Sequence, residues 1–161
     1  MTRIALINCY FGKKWPSYFN HFLFSCKYNS DVDFLIFTNL EAPFQIANVH
    51  FIKINDLSEF SKIASEKLNL SINILDGYKL CDFKPAYGLI FQEYLKNYDF
   101  WGYCDIDIIF GNIRYFLTEK ILKNMMLFRP LKIIPRDSLL YSETMSNALI
   151  FLNRVKITHI F

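Results

Sequence analysis

The chain has no C-x-x-C pair, no block of basic residues, no internal repeat, no low-complexity linker and no apolar run of membrane-spanning length. Each absence removes a class of protein. The four cysteines, Cys9, Cys26, Cys81 and Cys104, stand far apart and no histidine lies at finger spacing, which argues against a structural zinc site. Each is expected to be a small buried hydrophobe in a reducing compartment. Lysine and arginine cluster no further than Lys13-Lys14, and a formal net charge of +3 is too small and scattered for a surface that tracks nucleic-acid phosphates. The segment "IALINCYF" runs directly into Gly12, Lys13 and Lys14, so it is too short and too polar at its end for a signal peptide. The expected location is cytoplasmic, with contact to a membrane-bound substrate.

What is present suits one well-filled domain: 161 residues, 53% hydrophobic and 18% aromatic. Strand-like and helix-like segments alternate. "RIALINCYF" reads as a first buried strand, and Pro16-Ser17 opens an aromatic-rich helix that continues to about Tyr28. "VDFLIFTN" and "VHFIKI" read as the second and third strands, each closed by Asn or Asp, and "LSEFSKIASEKLNL" has the helical period. "KPAYGLIFQEYLKNY" reads as a further helix with Pro85 in its first turn, followed by a strand over Phe100 to Phe110. The alternation predicts an α/β fold with a mainly parallel, Rossmann-like sheet.

The most informative run is "FWGYCDIDIIFG", which sets Asp105 and Asp107 among aromatic, aliphatic and glycine residues. Ionised groups in such a strand cost several kcal/mol unless paired. Two residues apart in an extended segment, the carboxylates share one face while Ile106 turns to the other. They form an oxygen-ligand pair of the kind that holds Mg²⁺ or Mn²⁺ together with water and phosphate oxygens. The competing structural explanation is a carboxylate pair neutralised by Lys79 or Lys84 in an ion network. A second run, "YKLCDFKPAYG", places Lys79, Asp82 and Lys84 before the helix expected at Pro85, where lysines could neutralise a diphosphate. Lys84 could equally be a surface lysine, and Asp82 the N-cap of that helix.

Together with "INCYFGKKWPSYF", these two runs resemble a family of bacterial GT-A-type glycosyltransferases, often found with polysaccharide or lipopolysaccharide genes, over Arg3 to about Lys123. The resemblance implies a nucleotide-sugar domain over residues 1–124. In it Asp105 and Asp107 would contact a divalent metal, Mn²⁺ or Mg²⁺, and Asp105 also the donor ribose. Asp82 and Lys84 would belong to the donor site, and Tyr10, Phe11 and Gly12 to the nucleotide-side loop. The implied partners are a nucleotide-sugar donor and a glycan or lipid-linked acceptor. A catalytic base is not assignable, since His21, His50 and His159 have no motif around them. Two rivals are a non-catalytic, truncated nucleotide-binding remnant and a phosphatase using D-x-D with the first Asp as nucleophile. The latter wants Thr or Val where Ile109 stands.

Residues 125–161 differ in character. They hold five basic and two acidic residues and no glycine, whereas residues 1–124 hold 13 of each charge. The resemblance also stops there, at "NMMLF", where relatives look as if they continue with a Tyr-Asp-Val-like segment. The codons ATG ATG TT, preceded by one T, become TAT GAT GTT, which encodes Tyr-Asp-Val. In the same frame Lys132-Ile133-Ile134 is compatible with Lys-Asp-Tyr. Residues 125–161 are therefore expected to be a divergent tail translated out of frame after a single-base deletion, which would leave a truncated glycosyltransferase without its acceptor half, weakly active or inactive; the alternative is a natural short variant. Sequencing the gene through its stop codon should show an open frame in the shifted phase encoding a glycine-containing segment. Stops soon after codon 125 in that phase would refute the deletion.

Overall fold

A computed structural model describes residues 2–124. Its strands β1 (Ile4–Tyr10), β2 (Asp33–Thr38), β3 (Val49–Lys53) and β4 (Phe100–Tyr103) form one sheet in the order β3-β2-β1-β4. Every pairing is parallel, with Ala5 beside Asp33, Phe34 beside Val49 and Ile4 beside Phe100. The expected α/β architecture with a Rossmann-like parallel sheet is therefore the one adopted.

The apolar runs explain why the sheet is covered on both faces, since strands buried on two sides lose the polar alternation of a half-exposed sheet. Ala5, Ile7, Leu35 and Phe37 feed one core cluster, while Ile4, Phe34 and Ile36 feed the other. Helix α1 (Phe19–Tyr28) covers the second cluster by burying Phe19, Phe22, Leu23 and Cys26, which recur at steps of three and four. Helix α2 (Leu57–Leu68) covers the first with Phe60 and Ala64. It starts where the Asp56 carboxylate accepts the Glu59 N–H at 2.8 Å and stops at Asn69, whose φ of 54° is left-handed. The chain thus winds over one face from β1 to β2 and over the other from β3 to β4. Its direction reverses between β1 and β4, where such sheets place ligands.

Two local expectations are corrected. The segment before β4 is not one helix beginning at Pro85. It is a 3₁₀ run, Gly77–Ala86, then one α-turn, α3 (Tyr87–Ile90), then a second 3₁₀ turn, Gln92–Leu95. Pro85 has no N–H to give and lies inside the first 3₁₀ run. At Gly88 the backbone rests on the Trp101 ring so closely that an added Cβ would stand 2.2 Å from Cζ2. The second correction is the strand over Phe100 to Phe110, which ends at Tyr103. The Cys104 N–H still reaches the Ile7 carbonyl at 3.0 Å, but the next two carboxylates keep to solvent and the ladder stops.

Past β4, α4 (Ile113–Phe116) is capped by Asn112, whose side chain accepts the Tyr115 N–H at 3.1 Å, and α5 (Glu119–Asn124) follows. Among the described residues no helix is long and apolar enough to cross a membrane. The tail from residue 125, with its out-of-frame interpretation, lies outside the described residues. Of the cysteines, Cys26 and Cys104 are buried as expected and Cys9 is partly so, but Cys81 is exposed. It stands on the solvent side of the first 3₁₀ run, where Leu80 and Phe83 take the core positions.

The Gly88 contact sets a stability test. Gly88→Ala should destabilise the fold by about 1–3 kcal/mol through overpacking. Gly111→Ala, where a new Cβ meets nothing within 4 Å, should change stability little. Urea denaturation of the two variants checks the contrast.

Candidate functional site at the sheet reversal

At the carboxyl ends of β1, β2 and β3 the loops are tied to one another. Asn39, just past β2, accepts the Gly12 N–H at 3.0 Å and donates to the Gly12 carbonyl at 2.9 Å. Lys53, closing β3, donates to the Asn39 carbonyl at 2.9 Å and to the Glu41 carboxylate at 2.6 Å. The Trp15 indole N–H reaches the Glu41 carbonyl at 2.8 Å. Tyr10 stacks on Trp15 with ring centroids 5.3 Å apart, and Trp15 stacks on Phe19 at 3.9 Å. Phe11 turns to the other face and meets Phe60 edge-on at 6.2 Å. Tyr10, Phe11 and Gly12 thus lie at the expected strand end, with both rings engaged by other rings of the chain. No hydrogen bond or ion pair joins these three residues to Lys84, Asp105 or Asp107 among the described residues.

The other side of β1 is built differently. Asn8, 5% exposed, donates its amide to the Cys104 carbonyl at 2.7 Å and so holds β4 just where the ladder ends. Its Oδ1 is buried without a partner among the described residues. Ile106 drops into the second core cluster, while Asp105 and Asp107 on either side of it are exposed. The segment is a turn and no longer a strand, yet the inside-outside alternation expected of these three residues holds.

Lys84 supplies the cation that the carboxylates call for. It comes from the first 3₁₀ run, and its Nζ donates to both oxygens of Asp105, at 2.6 and 2.8 Å. The lysine side chain is 18% exposed and that of Asp105 53%. Lys84 Nζ also stands 5.8 Å from the Tyr103 ring centroid. Burial alone would lower the Lys84 pKa, but the hydrogen bond and charge of Asp105 outweigh it and hold the group above the ordinary 10.5. Asp107 has no hydrogen-bond or ion-pair partner among the described residues.

Asp82 is not brought into this cluster by any bond, nor is it a helix cap. Asp76 caps the 3₁₀ run by accepting the Tyr78 N–H at 3.0 Å, while Asp82 lies within that run and pairs with Lys79 at 3.5 Å. Of the two lysines weighed as partners for the carboxylates, the structure therefore selects Lys84. Asn8 and Asn39 were not singled out from the sequence as site residues. A lone amide inside the apolar "IALINCY" was the available signal for the first, and the polar close of "VDFLIFTN" for the second.

The donor set suits a hard cation better than a soft one. Burial and the Asp105 charge push the Cys104 thiol up to about 12, which keeps it protonated at neutral pH. Cys9 and Tyr87 are likewise pushed up by burial. Among the described residues no three His, Cys, Asp or Glu side chains gather as a metal cage. Two exposed carboxylates are nonetheless the protein share that Mg²⁺ takes when phosphate oxygens and waters complete its shell.

Fold and site together define an α/β protein with a parallel sheet wound over both faces and a charged pair at the point of reversal. Residues 6–150 match the model of DUF6625, a family of unknown function, and the chain belongs to that family. The match crosses Asn124 and so extends into the segment separated above as the tail. No curated protein and no solved structure matches the chain.

The ion pair has a measurable coupling. A double-mutant cycle of Lys84→Met and Asp105→Asn should give about 0.5–1 kcal/mol at pH 7, modest because Asp105 is well solvated. The folded lysine has the higher pKa, so its contribution is complete below the unfolded value and declines as pH rises above about 10.5. Urea titrations of the four proteins at pH 7 and at higher pH check both statements.

Proposed function

We propose that the protein is a nucleotide-sugar-dependent glycosyltransferase of GT-A type. Asp105 and Asp107 would hold Mn²⁺ or Mg²⁺, and Lys84 would face the donor diphosphate. One observation carries this reading: a D-x-D pair leaves the sheet beside the reversal between β1 and β4, both carboxylates exposed and Ile106 anchored between them. Parallel sheets bind ligands outside the carboxyl ends of their strands at this point. A glycan or lipid-linked acceptor, and a cytoplasmic site of action at the inner membrane, belong to the same proposal.

The chemistry follows from charge. When the anomeric C–O bond breaks, both bonding electrons leave with the diphosphate, while an acceptor hydroxyl forms the new bond to carbon and loses its proton to solvent. Asp105 and Asp107 would hold a divalent metal, whose chemistry would be to offset the charge on the departing diphosphate. Lys84, partly desolvated and kept protonated, adds a positive charge that offsets the charge growing on the diphosphate. The buried Ile106 restrains the turn that carries both carboxylates. The Asn39 bonds hold Gly12 and the loop after β1 at the neighbouring strand end.

A non-catalytic reading also has an observation in its favour: both Asp105 oxygens are already satisfied by Lys84, as in a structural ion pair. Thermal denaturation separates the two. Mn²⁺ with a nucleoside diphosphate at about ten times Kd should stabilise the wild type by about 1.4 kcal/mol, or several degrees in Tm. Asp107→Ala should remove that shift. Equal shifts in the two proteins, or none in either, would refute the metal role.

A further inference from the structure

Lys84 holds both of the oxygens that a metal ion at Asp105 would need. Nζ lies 2.6 and 2.8 Å from the Asp105 oxygens, so the carboxylate is fully engaged by a cation before any metal arrives. A metal held by oxygen at about 2.1 Å would stand within a few ångströms of that ammonium, with like charges opposed. Asp107 has no such partner among the described residues. The two carboxylates are therefore unequal: one is open and the other already neutralised from within.

We propose that Lys84 is a stand-in cation at Asp105, which makes metal and diphosphate bind as a unit rather than one after the other. The metal alone must displace the ammonium from a low-exposure position and leave it without an anion. The diphosphate removes that obstacle, because its oxygens give the ammonium a new partner as Asp105 turns to the metal. Differential contacts of this kind are what coupling between two ligands requires. The lysine has somewhere to go: its stem is long and flexible, and it leaves from a 3₁₀ run at the rim of the site. The inference rests on the metal reading above and adds to it a coupling between metal and diphosphate and a role for Lys84 before the donor arrives.

The test uses the full chain, Mn²⁺ alone and preformed Mn²⁺–pyrophosphate, which presents the diphosphate chemistry without a choice of base or sugar. Binding of Mn²⁺ is followed by loss of the aquo-ion electron paramagnetic resonance signal, and binding of the complex by calorimetry. Lys84→Met should bind Mn²⁺ alone at least fivefold more tightly than wild type and the complex at least fivefold more weakly. Lys84→Arg, which keeps a cation beside Asp105, should follow the wild type in both. Lys84→Gln, also uncharged, serves if the methionine variant does not fold. If the uncharged variants bind Mn²⁺ alone no more tightly than wild type while the complex still binds, the stand-in role is overturned and the metal reading survives. If neither ligand binds to wild type or to the uncharged variants, the metal reading fails and the inference fails with it.

Discussion

The parallel pairing of β1 with β4 is the constraint on which the rest depends. It brings Ile4–Ile7 against Phe100–Tyr103 and lets Asn8 hold the Cys104 carbonyl across a sequence separation of 96 residues. Without it Asp105 and Asp107 would have no fixed place, Ile106 would have no cluster to enter and Lys84 no carboxylate to meet. The free energy that secures the pairing is mostly apolar. Phe100 is buried in one cluster and Trp101 packs against the other, so both sides of a four-residue strand contribute. A short strand suffices because both of its faces are anchored.

The two sides of β1 divide the work. Towards β2 and β3 the strand ends are closed by Asn39, Lys53, Glu41 and the Tyr10–Trp15–Phe19 stack, so the polar backbone there finds partners within the protein. Towards β4 the ladder is allowed to end, and charged groups occupy the opening. Cation and carboxylate there come from different connections, the 3₁₀ run before β4 and the turn after it. Small movements of either connection would change their separation. The closed side offers no such freedom.

Most of the fold was legible because its strongest signals are local. Apolar runs the length of strands, the steps of three and four in α1 and α2, and a polar close to β2 mark elements that tertiary packing does not override. The need for a cation near Asp105 was legible from the cost of an ionised group in an apolar run, and Lys84 was one of two partners weighed. What escaped depends on contacts between distant residues. Gly88 and Trp101 meet only after folding, and nothing local to "KPAYGLIFQEYL" says that a ring will press on its backbone. The end of β4 depends on charge outweighing the β-rich composition of "DIDIIF". A helix cap was the alternative reading of Asp82 because Pro85 looked like a helix start, and once the 3₁₀ run begins at Gly77 that role passes to Asp76. Exposure of Cys81 has the same origin, since composition favours burial and only the geometry of the run turns it outward.

The strand order also carries a kinetic consequence. β1, β2 and β3 are neighbours both in the chain and in the sheet, and each can dock on the one before it. β4 must instead return to the far side of β1, after α2 and the 3₁₀ run have been laid down. Non-local parallel pairing of this kind is slow, because chain entropy is lost before any contact compensates for it. During synthesis one edge of β1 therefore stays open, with Ala5 and Ile7 beside it, until residues 100–103 have left the ribosome. The charged opening is thus the last part of the sheet to form, and the nascent chain has its strand edge exposed for the longest time at the place where the finished protein keeps its ion pair.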